Sequence, residues 1–209
     1  KKILELPDAA QDLLLQAACV GARFKLSVLA SLSQKMIPWT LRHLLPAIEV
    51  GLVIPLDANF EILRYMEEEA GAFPEVRFKF VHDRVQEAAY SMVNREEQSL
   101  LHYRVAQILS REYSAESGSS SDLFSMVNHY NQALSFVWME EERERLFKLN
   151  REAGLLAFHS GAFTSAYSYL SQAMRLAPSD HWERSYEEAY SFSLACAESA
   201  FLSGEFNVA

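Results

Sequence analysis

The sequence predicts a mostly α-helical protein with one small β element, and three observations lead there. Half of the 209 residues are hydrophobic, enough to bury a core in one large domain or two small ones. Only seven glycines and six prolines stand against plentiful Ala, Leu, Glu and Ser, and alanine and straight-chain residues lose little freedom in a helix. Apolar residues recur at helical spacing along most of the chain, and strand-like alternation is confined to one short region.

Across LPDAAQDLLLQAACVG, the apolar residues Leu6, Ala10, Leu13, Leu14, Ala17 and Ala18 share one stripe. Pro7 suits a first turn and Gly21 a C-terminal cap. A short second helix is expected over 27–33 with Ser27 as its N-cap. The third starts at Pro38, runs through Trp39, Leu41, Leu44 and Leu45, and stops at Gly51, with Pro46 kinking or shortening it. Beyond it the texture changes. Residues 52–56 are apolar and β-branched, a polar and acidic insertion follows, and VRFKF alternates Val76, Phe78 and Phe80 with Arg77 and Lys79. This predicts a two-stranded hairpin. Three helices followed by a hairpin is the order of a winged-helix domain, a helix-turn-helix core with a β wing.

The stretch FKFVHDRVQEAAY brings a histidine, an aspartate and an arginine together directly after the second strand. Val81, Val85, Ala88, Ala89 and Met92 keep helical spacing, so His82 and Asp83 fall at a helix entrance, where exposed N–H groups and the helix dipole favour a carboxylate. Asp83 is therefore read as structural. The order differs from the kinase His-Arg-Asp triplet, and Val, Gln, Glu and Ala follow where that loop leads to its asparagine.

A long helix over 95–112 ends at SAESGSSS, a linker or loop by composition over 114–121. The organisation is thus a first domain with trailing helices over 1–113, a linker, and helices to the end, near 122–137, 140–159, 162–176 and 182–203. In this last part AFHSGAFTSA and AFLSGEFNVA match at Ala, Phe, Ser, Gly, Phe and Ala, which implies one local geometry used twice, with helices ending at Gly161 and Gly204. The first copy fits a tetratricopeptide repeat: Ala153 and Gly154 at small positions, Gly161 at the turn, Ala166, Leu170 and Ala173 on the packing face, and Pro178 as terminator. Small residues there let helices approach closely, so they serve packing. SDHWERSYEE stretches the period to 43 residues, and the second helix of the last repeat would begin near Glu205. The sequence is therefore expected to be an excised piece of a longer protein.

Charge and motifs narrow the function. A net charge of −9 and a pI near 5.2 argue against a nucleic-acid surface, which needs clustered cations. From residue 114 onward six basic side chains (Arg143, Arg145, Lys148, Arg151, Arg175, Arg184) face thirteen acidic ones. No glycine is followed by Lys-Ser or Lys-Thr, and neither G-x-G-x-x-G nor G-x-S-x-G occurs. Cys19 and Cys196 lack metal or disulfide spacing and read as buried free thiols, and the six histidines lack the i, i+4 pairing of a helical metal site. The longest apolar run, 44–56, is cut by Pro46, Glu49 and Pro55. A cytoplasmic protein with no membrane segment is expected.

Four stretches, LLLQAACVGARFKLSVLA, FKFVHDRVQEAAYSMV, DLFSMVNHYNQAL and LNREAGLLAFHSGAFTSAYSYL continuing to AESAFLSGEF, carry a resemblance over nearly the whole chain. The chain resembles the region downstream of the ATPase in signalling proteins of the STAND class. It is more closely similar to hybrid proteins that join a serine/threonine kinase-like domain, an AAA-like ATPase and a sensor histidine kinase. The resemblance implies a non-catalytic regulatory spacer between a nucleotide switch and an output module. It also implies that ATP binds a separate upstream domain, with no cofactor or metal in this part. Pro46 and the long acidic insertion depart from a standard wing geometry.

By resemblance to other tetratricopeptide folds, partner-binding positions are Lys148, Arg151, Leu155 and Phe158, and in the next repeat Leu194, Glu198 and Phe201. Partners are expected to be the ATPase and kinase domains of the same polypeptide or another signalling protein. Two alternatives stand beside this: a DNA-binding regulator reading through the third helix, which offers only Arg42 and His43, and a free-standing tetratricopeptide adaptor.

Overall fold

The apolar stripe of LPDAAQDLLLQAACVG folds as α1 (Asp8–Val20), preceded by a 3-10 turn over Lys2–Glu5. In this computed structural model residues 2–66, 73–113 and 119–205 are described. Pro7 is the N-cap of α1 rather than part of its first turn, and Gly21 closes the helix with an N–H donated to the Ala17 carbonyl at 3.1 Å. The chain then makes a strand absent from the sequence reading, β1 (Arg23–Lys25), before α2 (Leu26–Ser33) and α3 (Ile37–Glu49). α3 continues through Pro46 for another turn, so the proline does not shorten it.

The expected two-stranded hairpin is a three-stranded antiparallel sheet. β2 (Val53–Pro55) and β3 (Arg77–Phe80) pair with Val53 opposite Phe80, and β1 adds to the other side of β3 with Phe24 opposite Phe78. β1 escapes a sequence reading because three residues, Arg-Phe-Lys, show too little alternation to mark a strand. Its reason is tertiary. Phe24 stacks on Phe78 at 5.7 Å, and Phe60 meets Phe78 edge-on at 6.0 Å. Phe60 belongs to a short helix, α4 (Asn59–Arg64), inside the segment read as a polar insertion; residues 67–72 of that insertion lie outside the described residues.

The N-terminus of α2 corrects a second expectation. Its N-cap is Lys25, and Ser27 sits inside the first turn. Glu75, just before β3, closes that end instead: the Ser27 hydroxyl donates to Oε2 at 2.5 Å and the Ser27 N–H to Oε1 at 3.4 Å. Asp57 similarly accepts two bonds from the Arg77 guanidinium, at 2.6 and 3.1 Å, and one from the Arg77 N–H at 2.7 Å. The Asp57–Arg77 tie joins the two ends of the β2–β3 excursion, and the Ser27–Glu75 tie fastens its far end to α2.

After β3 come α5 (Asp83–Ser91) and α6 (Arg95–Glu112). His82, not Asp83, is the N-cap of α5 and makes no side-chain cap bond; Asp83 opens the first turn, where it favours the helix through the dipole alone. His82, Asp83 and Arg84 are all exposed. Cys19, Leu32, Val93, Leu101 and Val105 form a buried cluster in which α6 packs on α1 and α2. Burial pushes the Cys19 thiol up to about 12, with Glu97 adding to the effect.

Residues 1–112 form one compact unit and 113–209 another. In the second, Ser119 starts α7 (Ser120–Gln132) with a capping box, its hydroxyl accepting the Asp122 N–H while the Asp122 carboxylate accepts the Ser119 N–H. The helix therefore begins inside the segment read as linker, of which 114–118 lie outside the described residues. It also ends sooner than expected, giving way to a 3-10 turn at Leu134–Phe136. α8 (Glu140–His159) and α9 (Phe163–Leu176) form a tightly packed helical pair joined by three residues. The stretch read as one helix over 182–203 is two, α10 (His181–Arg184) and α11 (Tyr186–Ser203), and α11 packs on α9 and α8.

The repeated decapeptides take the same shape. Gly161 and Gly204 have φ of 78° and 85°. Each donates its N–H three residues back, to Phe158 and Phe201, and the following residue donates five back, Ala162 to Ala157 and Glu205 to Ala200. This is the double bond pattern of a Schellman cap. The helix expected beyond Glu205 lies outside the described residues.

Candidate interaction groove

The side of α8 that faces α10 and α11 is set by the adjacent Phe147 and Lys148 and, one turn on, by Arg151. Phe147 is buried and forms the floor with Phe192 of α11, ring edge to ring face at 5.9 Å. Lys148 lies beside it, and Arg151, one turn on, places its guanidinium over the Phe147 ring at 5.8 Å. Together with Pro178, His181 and Arg184 these residues line a cleft of about 220 Å³. A second hollow continues it past Arg151 to Leu155, Glu187 and Ser191.

The charged rim is woven from ion pairs between helices. Arg151 reaches Glu188 of α11 at 2.7 Å, and Arg184 of α10 reaches Glu144 of α8 at 3.0 Å. Lys148 also holds Glu144, at 3.1 Å, and Arg184 holds Asp180 at 2.9 Å. The Lys148 hydrogen bond, then the charges of Lys148 and Arg184, keep the Glu144 carboxyl below its usual range. His181 donates Nδ1–H to the Pro178 carbonyl at 2.8 Å, which leaves Nε2 as an acceptor. That atom is buried and meets no hydrogen-bond partner among the described residues.

Of the seven positions expected to meet a partner, the structure gathers three, Lys148, Arg151 and Leu155, along this groove. Phe158 is turned instead into the α8–α9 corner, edge-on to His159 and Phe163. Leu194, Glu198 and Phe201 share one exposed side of α11 and do not line the groove. Phe147, His181, Arg184, Glu188 and Phe192 were missed. The signal for three of them was in SDHWERSYEE, whose letters carry His181, Arg184 and Glu188 but show no partner until α11 folds back on α8.

Hybrid signal transduction histidine kinase G of Dictyostelium discoideum is 27% identical over 152 aligned residues, covering 62% of this chain. The chain is similar to part of a signalling kinase. It spans only 4% of that relative's length. No family model and no solved structure matches it.

The positions read as structural are placed as follows. A Cβ on Gly154 would lie 2.5 Å from Leu170 Cγ and 3.1 Å from its backbone nitrogen, so α8 and α9 touch there. Ala166 is fully buried on α9. Pro178 lies just after α9 and supplies the carbonyl that orients His181. On α3 of the first unit, His43 stacks on Trp39 at 3.8 Å and donates Nδ1–H to the Trp39 carbonyl at 2.8 Å, which occupies one of the two side chains available for reading DNA. Among the described residues no helix is long and apolar enough to cross a membrane, and no three potential ligands gather for a metal.

Proposed function

We propose that this chain is a non-catalytic regulatory and protein-interaction segment of a larger signal-transduction protein that carries an ATPase and a sensor histidine kinase. In this reading residues 1–112 are winged-helix-like: α1 to α3 supply the helical core, and β2 and β3 the wing, with β1 added. Residues 113–209 are tetratricopeptide-like, with α8 and α9 as one helical pair and α11 opening the next. The first unit docks on the ATPase, and the second holds a protein segment in its groove. Nucleotide state then shifts their packing and reaches the output domain, as two-state elements do. ATP belongs to the ATPase domain of that larger protein.

The observation that carries the reading is the groove, in which Arg151 lies over an aromatic floor and Arg151 and Arg184 are tied to acids of a neighbouring helix. Polypeptides are bound by such mixed surfaces, whereas hydrolysis through a side-chain hydroxyl needs that nucleophile bonded to its base. Ser185 and His181 share the cleft, yet the free Nε2 of His181 receives no hydroxyl. The similarity to a hybrid histidine kinase supports the signalling context.

The test uses the full-length gene product. Reversing the groove charge with Lys148→Glu and Arg151→Glu, at unchanged helicity, is expected to alter ATP-dependent autophosphorylation several-fold. An unaltered output, or ATP hydrolysis or DNA retardation at low salt by the 209-residue chain alone, would overturn the reading.

A further inference from the structure

Charge on the sheet of the first unit breaks a pairing rule. Alternation buries Phe24, Val53, Phe78 and Phe80 beneath the sheet, which turns Arg23, Lys25, Arg77, Lys79 and Ile54 to its other face. The register sets Arg23 directly opposite Lys79 and Lys25 directly opposite Arg77, and like charges in such positions destabilise a sheet. The fold repairs one of these rows. Asp57 takes the Arg77 guanidinium in two bonds, Glu112 lies 3.7 Å from the Lys25 ammonium, and Glu75 closes the same end on Ser27. The Arg23–Lys79 row is left positive in a chain of net charge −9: among the described residues, ion pairs on this face reach Lys25 and Arg77 only. A local rule broken without compensation inside the fold marks a place that serves something outside it. Beside the cations the third strand is aliphatic. Ile54 stands opposite Lys79, and Leu56, whose N–H donates to the Arg77 carbonyl at 2.8 Å, follows two residues on; the two are 36% and 39% exposed. The face thus has a cationic side over β1 and β3 and an apolar edge over β2.

We propose that this sheet face seats an amphipathic helix of a partner protein, with a carboxylate received between Arg23 and Lys79 and aliphatic side chains one turn apart laid along Ile54 and Leu56. Geometry selects a helix over an extended segment. A strand turns one column of side chains toward a surface, whereas a helix presents two adjacent columns, at i and i+4 and at i+3 and i+7. Two columns side by side are what the face offers. Its rows lie about 7 Å apart along the strands, close to the rise of about 6 Å between helix residues i and i+4. Composition selects a polypeptide over a nucleic acid: the rings of Phe24, Phe78 and Phe80 are all turned inward, so no platform for bases stands on the cationic side. A bare anion would leave Ile54 and Leu56 uncovered. The site lies in the first unit and does not depend on the groove of the second.

The experiment is fluorescence anisotropy with the 209-residue chain and a fluorescein-labelled, C-amidated peptide, Glu-Ala-Gln-Leu-Glu-Ala-Gln-Leu-Glu-Ala-Gln-Leu, which sets a leucine column beside a glutamate column. Binding is expected to weaken about tenfold or more when the glutamates become glutamines, because charge-assisted bonds are lost, and to fall as salt rises. Arg23→Gln and Lys79→Gln should each weaken it several-fold, and Arg175→Gln, which removes a cation from the second unit, should leave it unchanged. A peptide of the same composition with its leucines on the opposite side of the helix should bind more weakly. Since the two cations repel each other, Arg23→Gln and Lys79→Gln should leave the melting temperature unchanged or raise it; a lowered one would assign the pair to the fold and overturn the proposal. Equal affinity for the glutamine peptide or for the rearranged peptide, displacement by millimolar inorganic phosphate, or tighter binding of oligothymidine or of phosphatidylserine vesicles would also overturn it. Failure here leaves the groove reading standing, because that reading is tested by the output of the charge-reversed full-length protein.

Discussion

At position 154 the packing of α8 on α9 admits no side chain larger than hydrogen. The Leu170 backbone and side chain stand where a methyl group would go, so Gly154→Ala is expected to destabilise the second unit by about 1–3 kcal/mol, the usual cost of overpacking, even though alanine favours a helix. Chemical denaturation would check this, and a stabilised variant would mean that the two helices are not so close. A second residue-scale consequence concerns His102, which lies buried with Nε2 3.0 Å from the Tyr90 hydroxyl. Burial lowers its proton affinity below that of an ordinary imidazole. The unfolded chain therefore takes up the proton first: this contribution to stability is complete above the ordinary pKa of about 6.5, and is lost as pH falls through that value toward the depressed one. His102→Gln, which keeps a polar side chain, should flatten the fall in melting temperature between about pH 7 and 5; an unchanged slope would refute the assignment. Asn150 is legible only in hindsight. Fully buried, it exchanges amide bonds with Asn131 at 2.8 and 3.0 Å and fixes α7 against α8, but in the sequence it reads as one more polar residue in a charged helix.

At the scale of elements, the caps decide where helices turn. Gly161 and Gly204 adopt positive φ with open space around the Cβ position, so the conformational requirement, not crowding, selects glycine. Gly161→Ala and Gly204→Ala are each expected to cost about 1 kcal/mol through the left-handed backbone, and asparagine should recover part of that loss. Matched costs from two melting series would show that the corners are energetically as well as geometrically alike; unequal costs would separate them. The glycines were readable because a Schellman cap is local in sequence. The cap of α2 was not, because Ser27 is closed by Glu75 from 48 residues away. The same reason hid β1. A three-residue strand has no period of its own and exists through Phe24 on Phe78.

Over the whole chain, two compact units divide between residues 112 and 113, and the change of composition that marks a boundary in the sequence is the serine-rich stretch 114–121. For the interaction groove, Lys148, Arg151 and Leu155 are expected only through the resemblance to tetratricopeptide folds, whereas Arg184 and Glu188, which close the rim, sit in a stretch that shows no repeat. Similarity to a signalling kinase adds context without supplying residues. The positions of most helices, the buried alternation of Val76, Phe78 and Phe80, and the paired glycine corners followed from the order of amino acids, because apolar periodicity and capping act within a few residues. The third strand, the Glu75 cap and the pairing of Arg151 with Glu188 came only with the folded chain, because hydrogen bonds and ion pairs between distant segments leave no local pattern.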